Sequence, residues 1–273
     1  MRRSVKLKLN IWLVIIAAAL VLLAVAGIVL KTLGFRYIIA DNGTKFYGKT
    51  SNGIVVSGKL IYPDGNKAEI DRTAGTIIYE NGDSYYGEFS GFYRHGNGVY
   101  TFAGGDVYEG EFANDVIEGK GRLKTVFGDT YDGSFVNGKK EGEGVFAWSD
   151  GSVYTGGFLG NKKHGNGTYK GADGTVYVGE YADDFKNGTG SVTYPNGDKY
   201  TGEFVNDVRD GTGTYVYANG ETYVGQFKNN KKDGTGVYTW PAPAARKYEG
   251  TFRDGVIYVE SAENAAAESE NKQ

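Results

Sequence analysis

Two histidines, no cysteine and 44 glycines bound the chemistry open to this chain of 273 residues. His95 and His164 both stand in His-Gly-Asn-Gly, too far apart along the chain to share a site in a regular repeat. The absence of cysteine removes disulfides, thiol nucleophiles and thiolate-ligated zinc. No Ser-His-Asp arrangement, phosphate-binding P-loop or carboxylate pair is visible. Gly-x-Gly pairs are frequent, but no helix follows them to hold a phosphate. No catalytic, cofactor-binding or metal-ligating residue is therefore assigned, and the chain reads as a non-enzyme. Net charge is only −3, and no basic face emerges from the body of the chain, so nucleic acid is not an expected partner.

The remaining chemistry is recognition by rings and cations. Trp148 and Trp240 occur in only two of many similar segments, so they are freer than recurring rings to serve a ligand. Tyr194 and Tyr217 occupy the same column as both Trp. A second column reads Arg94, Ile117, Lys140, Lys163, Lys186, Arg209 and Lys232. Its lysines, above all Lys140, Lys163 and Lys232, are candidates to meet anionic groups such as lipid phosphates or teichoic acids. Glu118, Glu141, Asp210 and Asp233 follow directly; the edge is mixed, as solvated turns that guard a sheet edge would be. Asp83, Asp106, Asp129, Asp150, Asp173, Asp198 and Glu221 supply one carboxylate per turn. A calcium loop needs several oxygens converging on one point.

A repeat must position these residues. Tyr-x-Gly-x-Phe/Tyr recurs at Tyr85, Tyr108, Tyr131, Tyr154, Tyr177, Tyr200 and Tyr223, always 23 residues apart, with a further copy at Tyr248. Gly-x-Gly keeps the same step from Gly96/Gly98 to Gly234/Gly236. In an extended strand, Tyr85, Gly87 and Phe89 share one face and Tyr86 and Glu88 the other. Rings on that face can lie over glycines of the neighbouring strand, where no Cβ obstructs them. Asn81-Gly82, Asp150-Gly151, Asn196-Gly197 and Asn219-Gly220 read as two-residue hairpin turns. The expected fold is all-β: an elongated single-layer antiparallel sheet of stacked 23-residue hairpins. Residues 82–258 form the regular array and 43–81 a degenerate beginning, as the end units of repeat arrays tend to be.

Tyr-x-Gly-x-Phe followed by Gly-x-Gly-x-Tyr at a 23-residue step resembles the MORN (membrane occupation and recognition nexus) repeat family. The resemblance covers about residues 43–258. It implies β-hairpin units and a role in membrane or protein contacts. Relatives attached to phosphatidylinositol phosphate kinases carry a kinase domain that residues 31–273 do not resemble.

Ahead of the repeats, residues 11–30 run without a charge, long enough as a helix to cross a ~30 Å hydrocarbon core. Trp12 suits an interface, and Arg2, Arg3, Lys6 and Lys8 precede the run. The expectation is a single-pass anchor at the cell membrane. Residues 1–10 would be cytoplasmic, 31–42 a linker, and the repeats extracytoplasmic. Ala24-Val25-Ala26 also fits a signal-peptide cleavage site, so cleavage after Ala26 stays open. Residues 259–273 read as a disordered acidic tail. The function expected is a membrane-anchored scaffold contacting a protein or an envelope polymer; the alternative is a binder of cell-wall glycan or teichoic acid.

Overall fold

The computed structural model describes residues 2–259. It contains two compact units, Met1–Val116 and Ile117–Gln273. The expected tail, 259–273, lies outside the described residues beyond Val259.

The first unit begins with α1 (Arg2–Thr32). Its segment Ile11–Thr32 is apolar, and every residue in it is exposed. That is long and apolar enough to cross a membrane. Eight strands follow: β1 (Phe35–Ile39), β2 (Lys45–Ser51), β3 (Ile54–Ile61), β4 (Lys67–Asp71), β5 (Thr76–Tyr79), β6 (Ser84–Ser90), β7 (Tyr93–Thr101) and β8 (Val107–Ala113). Each pairs antiparallel with the next.

The segment expected to be a linker, 31–42, instead carries the end of α1 and strand β1. Only Leu33 and Gly34 separate helix from strand. The Thr50 amide and hydroxyl both donate to the Gly34 carbonyl, at 2.8 and 3.0 Å. Arg36 donates to the Lys31 carbonyl at 2.8 Å, covering an acceptor that the helix end leaves unpaired. The degenerate repeats keep the hairpin but change the filling. Leu60 and Ile77 are buried there at positions where later repeats use rings such as Tyr100, and Val55 and Ile70 are buried beside them.

The second unit holds β9 (Val116–Lys124), β10 (Thr130–Val136), β11 (Lys139–Ala147), β12 (Val153–Leu159), β13 (Lys162–Lys170), β14 (Val176–Ala182), β15 (Phe185–Thr193), β16 (Lys199–Val205), β17 (Val208–Val216), β18 (Thr222–Lys228), β19 (Lys231–Trp240), β20 (Arg246–Arg253) and β21 (Val256–Tyr258). These too pair antiparallel in sequence order. The expected class, hairpin after hairpin behind one apolar helix, is what the chain adopts.

The rings do lie over glycines. Tyr154, Tyr177, Tyr200 and Tyr223 are fully buried. A Cβ added at Gly190 would meet the Tyr177 ring at 2.5 Å. Each hydroxyl then donates to the carbonyl three residues on, as Tyr177 does to Glu180 at 2.9 Å. The ring also sits edge-on against two others: Tyr177 meets Tyr181 at 5.2 Å and Phe204, of the next repeat, at 5.4 Å. Aromatic pairs favour this geometry because a positive edge meets a negative face. Successive repeats thereby share one row of buried rings.

The turns differ from expectation. Asn196-Gly197 is part of a three-residue loop, closed by Gly197 N–H donating to Tyr194 at 2.9 Å and Tyr194 N–H to Asp198 at 2.8 Å. Only Gly197 is left-handed there, at φ +91°. Asn196 is not, because its side chain accepts from Asp198 N–H at 3.1 Å in a local turn of its own. Two-residue turns close the opposite ends of the strands. Asn206 and Asp207, at φ 48° and 69°, join β16 to β17. Asp183-Asp184 and Asn229-Asn230 do the same for their hairpins. Two left-handed residues in a row are what a tight turn matching the strand twist requires.

Candidate functional site

Each two-residue turn is fastened to the turn before it. Asp184 N–H donates to the Lys163 carbonyl at 3.1 Å, and its carboxylate accepts from Lys163 N–H at 2.9 Å. Asp207 clamps Lys186 in the same way, and Asn230 clamps Arg209. This fixes the backbone of the basic column. Its side chains lie over the rings; they do not form a solvated edge. Lys140 Nζ is 4.5 Å from the Phe146 ring centre, Lys163 Nζ 5.0 Å from Tyr181, and Lys232 Nζ 4.7 Å from Tyr238. Burial among these rings holds the Lys140 and Lys163 ammonium groups below their usual pKa. The two candidate sites read separately in the sequence, rings and cations, are therefore one surface.

The rings of that surface, half-exposed except for the buried Tyr238, form two runs. One is Phe146, Trp148 and Tyr169, with spacings of 4.6 and 5.8 Å. The other passes from Tyr194 through Tyr215, Tyr217 and Tyr238 to Trp240, each ring within 6.2 Å of the next. The Arg246 guanidinium covers its end, 4.3 Å from the Trp240 ring. Lys232 Nζ lies 3.4 Å from the Tyr217 hydroxyl. Of the residues expected in a site, Trp148, Lys140 and Lys163 thus belong to the first run, and Tyr194, Tyr217, Trp240 and Lys232 to the second.

Most acidic turn residues have structural work. Asp198 accepts from Tyr215 OH at 2.7 Å and Ala218 N–H at 2.8 Å. Asp83 does the same for Tyr100 and Ala103, at 2.6 and 2.7 Å. Glu221 accepts from Tyr238 OH at 2.6 Å. Among the described residues no cluster of acidic or histidine side chains could hold a metal ion.

Beside the first ring run lies a cleft of about 350 Å³, lined by Trp148, Asp150, Ser152, Lys163, Tyr169, Tyr181, Asp184, Lys186 and Asp207. Five of these nine, Ser152, Tyr169, Tyr181, Asp184 and Asp207, are not among the residues that the sequence singled out. The available signal was departure from the repeat: Ser152 replaces an acid, and Tyr181 replaces Phe.

MORN repeats match at residues 51–67, 85–107, 108–126, 131–153, 154–176, 177–199, 200–222 and 223–242. The chain belongs to the MORN repeat family. No curated protein matches it in sequence. Among solved structures, this MORN chain is similar to the wild-type TCP10 domain of CPAP from Danio rerio. Identity is 13% and the TM-score 0.34, over 80% of this chain and 100% of that one. It is also similar to the TCP10c domain of Sas-4 from Drosophila melanogaster, at 20% identity and a TM-score of 0.28, over 60% and 96% of the two chains. MORN membership makes the chain a repeat scaffold or binding protein, with one apolar helix consistent with a membrane anchor or a signal sequence.

Proposed function

We propose that this MORN protein is a non-enzymatic, single-pass scaffold of the cell membrane. α1 holds it with residues 1–10 in the cytoplasm. The repeats stand outside and dock a protein or an envelope polymer on the ring-and-cation surface of residues 140–246. The observation that carries this reading is the combination on one face of half-exposed rings with cations that lie over them. A purely structural face has no need to leave Trp148 and Trp240 half exposed. Rings and adjacent cations are what interface hot spots are made of.

Protease treatment of intact cells tests the topology: a C-terminal tag should be digested and an N-terminal tag spared. Protection of the C-terminal tag sinks the extracytoplasmic assignment. N-terminal sequencing of the mature chain separates anchor from leader; a start at Gly27 would mean that α1 does not hold the protein. Capture of envelope material by wild type, and its loss with Trp240→Ala at unchanged melting temperature, would support docking.

A further inference from the structure

Three repeat columns depart from their usual residue. Rings at Phe102, Trp148, Tyr194, Tyr217 and Trp240 mark a column that lacks one at Thr125 and has no side chain at all at Gly171, between Trp148 and Tyr194. The second column reads Tyr100, Phe146, Tyr169, Tyr215 and Tyr238, but is aliphatic at Leu123 and at Val192. The motif's closing residue is Phe in seven copies and Tyr only at Tyr181. Tyr181 lines the cleft together with Trp148 and Tyr169, and Gly171 leaves out the ring that its column carries one repeat before and one repeat after.

The walls of that space say what would fill it. Trp148 gives a flat apolar wall, and Tyr181 brings a hydroxyl where the other copies of the motif have Phe. Lys163 Nζ lacks an ion-pair partner among the described residues; it stands 5.9 Å from the Trp148 ring centre and 5.0 Å from that of Tyr181. The carboxylates of the lining, Asp150, Asp184 and Asp207, already accept from backbone amides. An aromatic side chain of a partner protein would find a ring to pack on but a charged surround. A pyranose has what the space lacks: an apolar C–H face for the indole and hydroxyls around its rim. An acceptor oxygen on that sugar would satisfy Lys163. The volume, about 350 Å³, falls at the lower end of small-ligand pockets, ~300–1,000 Å³.

We propose that the gap at Gly171 is a carbohydrate subsite, in which one sugar of a glycan stacks on Trp148 and is held through acceptor oxygens by Lys163 and Tyr181. This rests on the reading of the ring-and-cation surface as the binding face and names its ligand class. It does not depend on which side of the membrane the repeats lie.

The test is calorimetric titration of the full chain in lipid nanodiscs with chitotetraose, tetragalacturonate and a tryptophan-containing tetrapeptide. At least one of the two sugars should bind saturably. Gly171→Tyr should abolish that binding, because it restores the ring present at Tyr194 and Tyr217. Trp148 already shows that this column accepts a ring two residues before an acid, Asp150. Tyr181→Phe restores the usual repeat residue, keeps the fold, and should weaken binding roughly threefold to tenfold, the loss of one hydrogen bond. Val178→Ala, on the opposite face of β14, should change nothing. Three results would overturn the proposal: no binding of either sugar, sugar binding that survives Gly171→Tyr, or saturable binding of the peptide alone. The last would give the gap to a protein side chain. Envelope capture that is lost with Trp240→Ala while neither sugar binds would leave the docking face standing without this subsite.

Discussion

The Tyr200 ring lies across Gly213 of the neighbouring strand, so close that a Cβ there would fall 2.5 Å from the phenolic oxygen and 2.6 Å from a ring carbon. The hydroxyl is already committed to the Glu203 carbonyl at 3.0 Å, and the ring is wedged between Phe204 and Phe227. It has nowhere to retreat. Gly213→Ala should therefore destabilise the array by about 1–3 kcal/mol, the usual cost of overpacking. The urea midpoint of the full chain checks it; an unchanged midpoint would mean that the ring is not held as described.

The clamp between consecutive turns gives a second expectation. Asp207 sits at φ 69° and accepts from Lys186 N–H at 2.9 Å. Asp207→Ala loses that acceptor and places a Cβ residue in a left-handed conformation without local compensation, for about 1–2 kcal/mol. Asp207→Asn should cost little, since Asn230 makes the same bond to Arg209 at 2.9 Å. The ion pair to Lys186, 3.7 Å long and half exposed, adds at most about 1 kcal/mol. Equal losses in both variants would move the weight from the amide clamp to the ion pair.

Alkali should unfold the array cooperatively. Burial pushes the phenols of Tyr131, Tyr154, Tyr177, Tyr200 and Tyr223 up to about 12. The unfolded value is near 10, so the folded state keeps its protons while the unfolded state loses them. Stability is complete below pH ~10 and falls as the pH rises towards 12. Phenolate absorbance and the β circular-dichroism signal should change together within that window. Phenolate appearing first, with the β signal intact, would contradict the burial.

The 23-residue period made the hairpin, its ring-bearing face and the glycine under each ring legible, because all three follow from strand alternation and the size of a Cβ. Turn types were less legible. Asn196-Gly197 carries a strong two-residue signal, but its side-chain bond to Asp198 N–H pulls it into a three-residue loop. The two-residue turns went to less conspicuous pairs such as Asn206-Asp207. Cation placement was hidden too. Lys140 and Lys163 stand among acids in the sequence, and only strand pairing reveals that their stems run over rings of the adjacent repeat. Strand β1 escaped notice because its anchor, Thr50, lies 16 residues from Gly34 and belongs to no motif.

Acid should weaken the array through Asp198. Its carboxyl is held below the usual carboxylate range by the Tyr215 hydroxyl, then by Ala218 N–H. A folded pKa below the unfolded value, near 3.9, means stability that is complete above about pH 5 and lost as the pH falls through the folded value. Asp198→Asn keeps an acceptor for one of the two donors but has no proton to gain. It should be less stable than wild type at pH 7, and the gap should close as the pH approaches 2. Glu203, lowered by the Thr212 hydroxyl and amide, titrates in the same window but is fully exposed, so it should contribute less. Urea midpoints of wild type, Asp198→Asn and Glu203→Gln at pH 7, 4 and 2.5 decide this. A constant gap between wild type and Asp198→Asn across the series would mean that the Asp198 bonds to Tyr215 and Ala218 do not depend on its charge.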